Sequence, residues 1–147
     1  MYNIEELEKA KEKVLKYILY QKRSEYEIKN KFSKTIEENL LEDIIIYLKD
    51  AGYVNDKNFI IKTVNNFKLL KNLSIKEIKY KLLTKGINKS DIEDYIYENK
   101  EELEQYEIKS AANIINKKIN TMEEEEIKQY LLKKGYKREN INLAMNK

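Results

Sequence analysis

Nine lysines fall between residues 57 and 89 against a single acid, Glu77. An ammonium group is a compact point charge that meets phosphate or carboxylate, so such a run is chemistry for a polyanion. The candidates are Lys62 and Lys68, then Lys76, Lys79 and Lys81, then Lys85 and Lys89 around Gly86. On helices that spacing brings several of them within one or two turns. Tyr80 stands between Lys79 and Lys81, where a ring interleaved with cations suits stacking on an unpaired base. Residues 90–107 reverse the sign, with eight acids against Lys100. A charge run is also the ordinary dress of a solvated helix face, so both readings stand on composition alone.

Other chemistries are closed off. The 147 residues contain no cysteine and no histidine, which excludes disulfides, thiolate or imidazole metal sites, and nucleophile triads built on either residue. Glu123–Glu126 look like a cation site, yet four acids in a first helical turn complement the helix dipole without any ligand. Carboxylate pairs elsewhere come with no Gly-rich phosphate loop, HExxH or EF-hand pattern. The expectation is a protein without a catalytic residue, cofactor, metal or small-molecule substrate. No stretch approaches the roughly 18 apolar residues of a membrane span, and Met1–Lys13 mix acids and bases without an apolar segment of signal length. A cytoplasmic protein with no membrane partner is expected.

The elements that carry these residues announce themselves as a repeat. Leu82-Leu83-Thr84-Lys85-Gly86-Ile87 through Ile92 returns as Leu131-Leu132-Lys133-Lys134-Gly135-Tyr136 through Ile141, displaced by 49 residues. Similarity at that period means stacked helical units. Each phrase reads as a helix stopped at glycine, with the glycine in the left-handed conformation and the next residue folding back, as in a Schellman motif. Gly52-Tyr53 follows the same rule, so all three glycines serve as stops. A degenerate copy upstream, Lys31-Phe32 through Leu41, lacks the glycine and one residue, while Ile28, Ile78 and Ile127 keep step as apolar anchors.

Ser24-x-x-Glu27, Thr35-x-x-Glu38, Ser74-x-x-Glu77, Ser90-x-x-Glu93 and Thr121-x-x-Glu124 read as capping boxes at helix starts. The third copy's middle helix is expected to begin a little earlier relative to its anchor Ile127 than in the other two copies. Apolar spacing predicts helices near 3–22, 25–34, 36–50, 57–72, 75–85, 91–99, 101–120, 122–134 and 139–146. Around Asn99 either one helix runs on or the chain bends. The fold class is all-α: tandem three-helix repeats at 1–54 (degenerate), 55–99 (basic) and 100–147, stacked into an elongated, curved, solenoid-like array. Most of the twelve tyrosines, Tyr17, Tyr47 and Tyr95 among them, are expected to pack on apolar stripes, leaving Tyr80 for a partner.

Lys22-Arg23-Ser24 opening the first middle helix, Leu48-x-x-x-Gly52-Tyr53-Val54-Asn55-Asp56-x-x-Phe59 closing the first unit, and the two Lys-Gly phrases with Ile92 and Ile141 together resemble the RecX family, bacterial regulators of the RecA recombinase. The resemblance runs from about Lys13 to Met145. It implies tandem three-helix repeats, no catalytic centre, and a monomer that binds RecA-type recombinase filaments on single-stranded DNA. There it would lodge in the groove and suppress strand exchange and ATP hydrolysis in DNA repair, recombination and the SOS response. Lys22 and Arg23 join the lysine set as contacts under that resemblance, with weak, salt-sensitive binding to single-stranded DNA. Two departures stand out: the first unit lacks its turn glycine, and the chain has only two arginines, Arg23 and Arg138. A plain nucleic-acid-binding helical protein and a protein-only repeat adaptor remain alternatives. Read as local structure, the Gly52–Phe59 segment is a helix stop, a cap at Asn55 or Asp56, and a core residue at Phe59.

Overall fold

The structure is a computed structural model that describes residues 3–146. Among the described residues every regular element is a helix: α1 (Ile4–Tyr20), α2 (Glu25–Phe32), α3 (Glu38–Asp50), α4 (Asp56–Leu70), α5 (Ile75–Thr84), α6 (Lys89–Glu98), α7 (Lys100–Lys118), α8 (Glu124–Lys133) and α9 (Arg138–Met145). Each end lies within two residues of the sequence expectation. The chain between α6 and α7 breaks at Asn99, whose φ of −116° and ψ of 25° leave the helical region and whose side-chain amide donates to the Tyr95 carbonyl at 2.9 Å.

Two compact units emerge. The first comprises the chain to Phe59 together with Lys85–Ile87; the second comprises Ile60–Thr84 and the chain from Asn88. In the first, α1 packs on α2 and α3. Val14 and Ile18 of α1, Ile28 and Phe32 of α2, and Ile44, Ile45 and Leu48 of α3 form a shared core, closed by Val54. None of these helices could bury its stripe alone, which is why they form as a trio. In the second unit α7 is the pillar, touching α5, α6, α8 and α9. Ile108, Ala111 and Ile115 of α7 meet Ile127 and Leu131 of α8 and Ile141 and Ala144 of α9.

Helix starts follow the capping-box expectation at two places and depart from it at three. Ser24 and Ser74 each accept the N3 amide (Glu27 at 3.1 Å, Glu77 at 3.0 Å), and those glutamates accept the cap amide in return. Both serines are fully buried, and each hydroxyl donates outward as well, Ser24 to the Lys85 carbonyl at 3.2 Å and Ser74 to the Lys134 carbonyl at 2.8 Å. One hydroxyl thus caps its own helix and satisfies an orphan carbonyl at a Lys-Gly stop. At α3 the cap is Glu37, whose carboxylate accepts from Asn39 and Leu40, while the Thr35 hydroxyl donates back to Phe32. At α6 the cap is Asn88, which accepts from Ser90. At α8 Thr121 donates back to Lys118, and the helix begins at Glu124, later than expected. In each of the three, a better acceptor nearby outcompetes the serine or threonine hydroxyl.

The stops conform. All three glycines have positive φ, 83°, 80° and 95° at Gly52, Gly86 and Gly135, and no other described residue does. At Gly52 and Gly135 the paired Schellman hydrogen bonds are present: Tyr53 to Leu48 at 2.8 Å with Gly52 to Lys49 at 3.0 Å, and Tyr136 to Leu131 at 3.1 Å with Gly135 to Leu132 at 3.0 Å. Ile87 and Tyr136 are buried as expected; Tyr53 is half exposed, and Val54 takes the buried place there. Asn55 accepts the Asn58 amide at 3.1 Å, Asp56 accepts the Glu25 amide at 3.1 Å, and Phe59 is buried. The Gly52–Phe59 segment is therefore accounted for by local structure.

Candidate functional site

The lysine set does not form one uncommitted face. Lys68 is mostly covered and pairs with Glu102 at 2.6 Å, and Lys79 and Lys89 both approach Glu93, at 3.7 and 3.8 Å. The acidic 90–107 segment thus neutralises part of the basic segment before it. Lys62, Lys76 and Lys81 make no ion pair among the described residues, nor does the Lys85 ammonium. On α5, Ile75, Ile78 and Leu82 are buried, and at about 100° per residue Lys79 and Lys81 fall on opposite flanks of that stripe. The outward ridge is Lys76, Tyr80 and Leu83, with Tyr80 68% exposed.

In the first unit Lys22 is exposed and Arg23 is half-buried. The Arg23 guanidinium lies 4.2 Å from the centre of the Tyr17 ring, whose edge-to-face partner is Phe32, and its Nε is buried without a hydrogen-bond partner. Stacking fixes the planar cation while leaving its outer donors for a ligand.

Tyrosine packing was over-expected. Only Tyr106 and Tyr136 are buried among the described tyrosines, whereas Tyr20, Tyr26, Tyr47, Tyr53, Tyr80 and Tyr97 are all exposed. The stripes of these short helices are filled by Ile, Leu and Val, and the larger ring is left at the stripe edge with its hydroxyl in water. Tyr47, for example, carries the Lys11 ammonium 4.1 Å from its ring centre.

The polar centre of the second unit was not foreseen. Glu107 of α7 is fully buried, with Oε2 accepting the Ile75 amide at 2.7 Å and Oε1 accepting the Lys137 amide at 2.8 Å and the Asn140 side-chain amide at 3.0 Å. Ile75 opens α5 and Lys137 precedes α9, so one carboxylate serves two helix N-termini. One residue earlier, the Tyr106 hydroxyl donates to the Lys71 carbonyl at 2.7 Å and accepts the Leu73 amide at 3.0 Å. One turn later Ser110 and Tyr136 share a buried 2.7 Å hydrogen bond. Burial pushes the Tyr136 hydroxyl well above the ordinary tyrosine value, and Tyr106 is raised for the same reason. These groups hold helices in place. They are fully partnered, and no group of acids among the described residues could hold a metal ion. The only sequence hint is Glu107 itself, an acid on the stripe that also carries Leu103 and Ala111.

Two carboxylates shape the acid response. Burial alone would raise Glu25 and Glu104, but hydrogen bonds and charge from Lys49 and Lys29 at the first, and from Asn140 and Lys137 at the second, outweigh it and leave both below the ordinary value. A lowered folded-state value contributes stability that is present above the unfolded value of about 4.3 and lost as pH falls through the folded one. Urea unfolding between pH 5 and 3 is expected to show a steep loss of stability in the wild type and a shallower one in Glu104→Gln. Equal slopes would remove this assignment.

No helix among the described residues is long and apolar enough to cross a membrane. No protein-family model matches the chain. The regulatory protein RecX of Clostridioides difficile is 32% identical over 146 residues, 95% of this chain and 68% of that protein. RecX of Finegoldia magna is 32% identical, covering 92% of this chain and 70% of that protein. RecX of Staphylococcus carnosus is 31% identical, but the chain spans about half, 51%, of its length. Among solved structures, RecX from Lactobacillus salivarius superposes with a TM-score of 0.83 at 25% identity over 98% of this chain and 97% of that one. A second RecX crystal structure, at 21% identity and the same TM-score, shares the fold. With about a third of its residues identical across two thirds or more of two relatives, and with the same helical fold, the chain belongs to the RecX family of regulatory proteins.

Proposed function

We propose that this protein is a non-enzymatic, cytoplasmic modulator of RecA-type recombinase filaments, and specifically an inhibitor. In this reading it lies as a monomer in the filament groove on single-stranded DNA and blocks strand exchange and ATP hydrolysis by occupancy. Three helix trios, 1–54, 55–99 and 100–147, supply a repeating scaffold for that position. The observation that carries the reading is membership of the RecX family over nearly the whole chain. The cations without an ion pair among the described residues, Lys62, Lys76, Lys81 and Lys85, and the stacked Arg23 with Lys22 beside it, face phosphate or acidic protein surface; Tyr80 sits on the Lys76 ridge.

The test is the single-strand-dependent ATPase of the cognate recombinase. Substoichiometric protein is expected to depress it, and a Lys62→Glu/Lys76→Glu/Lys81→Glu variant is expected to need about ten-fold more protein for the same effect, a change of about 1.4 kcal/mol. Circular dichroism of the variant should be unaltered, because Lys62 and Lys76 are exposed and none of the three is ion-paired. With about three phosphate contacts, affinity for single-stranded DNA alone should fall with a log–log salt slope near −2. No depression of the ATPase at saturating wild-type protein would end the proposal.

A further inference from the structure

The middle helix of each trio starts in a seat, and at α2 and α5 that seat is filled. The Glu25 amide donates to Asp56 Oδ1 at 3.1 Å while the Ser24 hydroxyl donates to the Lys85 carbonyl at 3.2 Å. In the same way the Ile75 amide donates to Glu107 Oε2 at 2.7 Å while the Ser74 hydroxyl donates to the Lys134 carbonyl at 2.8 Å. Each seat thus offers two donors and takes two acceptors, a carboxylate and a helix-stop carbonyl. The glycine that follows the carbonyl, Gly86 or Gly135, rests against the second residue of the helix, Tyr26 or Lys76.

At α8 the same positions carry the opposite chemistry. Glu123 stands where Ser24 and Ser74 stand, four residues before the buried anchor Ile127, and Glu125 stands where Tyr26 and Lys76 do. An ionised carboxylate only accepts, so the hydroxyl's bond to a carbonyl is lost. The row of acids from Glu123 to Glu126, all exposed, also repels the kind of carboxylate that Asp56 and Glu107 bring to the other two seats. The occupant of this seat must therefore bring donors and positive charge. A second copy of this chain docking in the same manner is refused, because the turn after α2 has Thr35 in place of the glycine that close approach demands.

The seat also carries more than charge. It opens into a cleft of about 640 Å³ where Ile119, 59% exposed, borders the partly buried Met122 and Met145, and no lysine or arginine lines it among the described residues. Its acids are lightly engaged: the Lys128 ammonium lies 4.0 Å from Glu124, the limit of an ion pair, and Glu126 accepts the Glu123 amide at 3.3 Å. Complementing the α8 dipole accounts for the acids, and a polar cap on a terminal repeat accounts for the lost serine. Neither accounts for the apolar surface beside them. An apolar cleft rimmed by acids fits an apolar side chain flanked by cations.

We propose that the open seat at the start of α8 is a docking surface for a basic, apolar segment of a partner protein. A leucine-sized side chain enters the cleft between Ile119, Met122 and Met145, and lysine or arginine on either side of it meets Glu123, Glu124 and Glu126. This surface repels nucleic acid, so it takes protein where the lysines elsewhere take phosphate, and it stands whether or not the filament reading does.

The test uses the full chain with isotope-labelled methionine methyl groups, since Met122 and Met145 both line the cleft. A short synthetic peptide of lysine and leucine is expected to shift both resonances, with a Kd below about 100 μM. A lysine–serine peptide, which keeps only the charge, and a glutamate–leucine peptide, which reverses it, should each bind at least about ten-fold more weakly. A single-stranded oligonucleotide should leave both resonances where they are. The variants Ile119→Ser and Glu123→Gln/Glu124→Gln/Glu126→Gln, checked for helix content by circular dichroism, should each lose about ten-fold in affinity. Salt at about 0.5 M should weaken the wild type comparably with no substitution at all. No shift at about 1 mM lysine–leucine peptide overturns the proposal, and so does undiminished binding by Ile119→Ser. Equal affinity for the lysine–serine peptide would mean diffuse attraction, and shifts caused by the oligonucleotide would mean a nucleic-acid face; either outcome also overturns it. Sedimentation velocity completes the set, because self-association lost in Ile119→Ser would give the cleft to a second copy and remove the partner.

Discussion

Glu107→Ala is expected to destabilise the protein by about 3–5 kcal/mol, the cost typical of breaking a fully desolvated polar network from one side. The carboxylate is 0% exposed and its partners are two backbone amides, Ile75 and Lys137, together with Asn140. Alanine offers no acceptor. Each amide left buried and unpaired costs about 1–3 kcal/mol, and the void left by the side chain adds to it. Two helix N-termini also lose the negative charge that complements their dipoles. Glu107→Gln keeps the shape and one carbonyl but turns an NH₂ toward one of the donors, so it should fall between alanine and wild type, near 1–3 kcal/mol. Urea unfolding followed by circular dichroism reads both. Against a total stability of about 5–15 kcal/mol, the alanine variant loses a large share of its folded population at moderate denaturant. A loss below about 1 kcal/mol would mean that water replaces the carboxylate without penalty.

The contrast between Glu107 and the helices shows what a sequence makes visible. Helix ends were legible because capping serines and stop glycines act within four residues of themselves, and local hydrogen bonds decide such positions. Ser24 and Ser74 behave as their spacing implies. Thr35, Ser90 and Thr121 do not, because Glu37, Asn88 and Glu123 lie close by and local pattern cannot rank neighbouring acceptors. Glu107 is a longer-range case. Its partners lie 30 to 33 residues away, so an acid among eight in the 90–107 stretch looks like any other until the helices are packed.

The lysine set fails to show one common face for the same reason. Charge counting places Lys62, Lys68, Lys76, Lys79, Lys81, Lys85 and Lys89 in one basic segment, but only the folded chain brings Glu102 of α7 to Lys68 of α4 and Glu93 of α6 to Lys79 of α5, while Lys89 meets Glu93 four residues on within α6. The tyrosine expectation went astray on volume. Periodicity finds the edge of a stripe, and at that edge a tyrosine can lie flat in solvent as readily as it packs.

Replacing the three glycines one at a time by alanine is expected to give three different losses, in the order Gly86, Gly135, Gly52. All three share a positive φ, which costs an L-residue about 1–2 kcal/mol, and a Cβ at Gly52 would meet nothing within 4 Å. Gly52→Ala should therefore cost that amount and little else. At Gly135 the new Cβ would lie 2.9 Å from both Cβ and Cδ of Lys76; the flexible end can swing away but the Cβ cannot, so a further fraction of the roughly 1–3 kcal/mol of overpacking is added. At Gly86 the new carbon would sit 2.0 Å from Cγ and 2.3 Å from Cβ of Tyr26, and that Cβ moves only with the backbone of α2. The expected loss is about 3–5 kcal/mol, the sum of strain and overpacking. Tyr26 and Lys76 are each the second residue of their helix, two positions after the serine that bonds the carbonyl before the glycine, so the same seat is built twice. That double demand, on φ and on space, explains why the upstream copy dispenses with glycine: Thr35 is exposed and has no positive φ to support. A Tyr26→Ala change should recover part of the Gly86→Ala loss and nothing of the Gly52→Ala loss. Urea midpoints at constant slope measure all of these, and equal losses at the three glycines would show that φ alone matters and that the seat is empty of consequence.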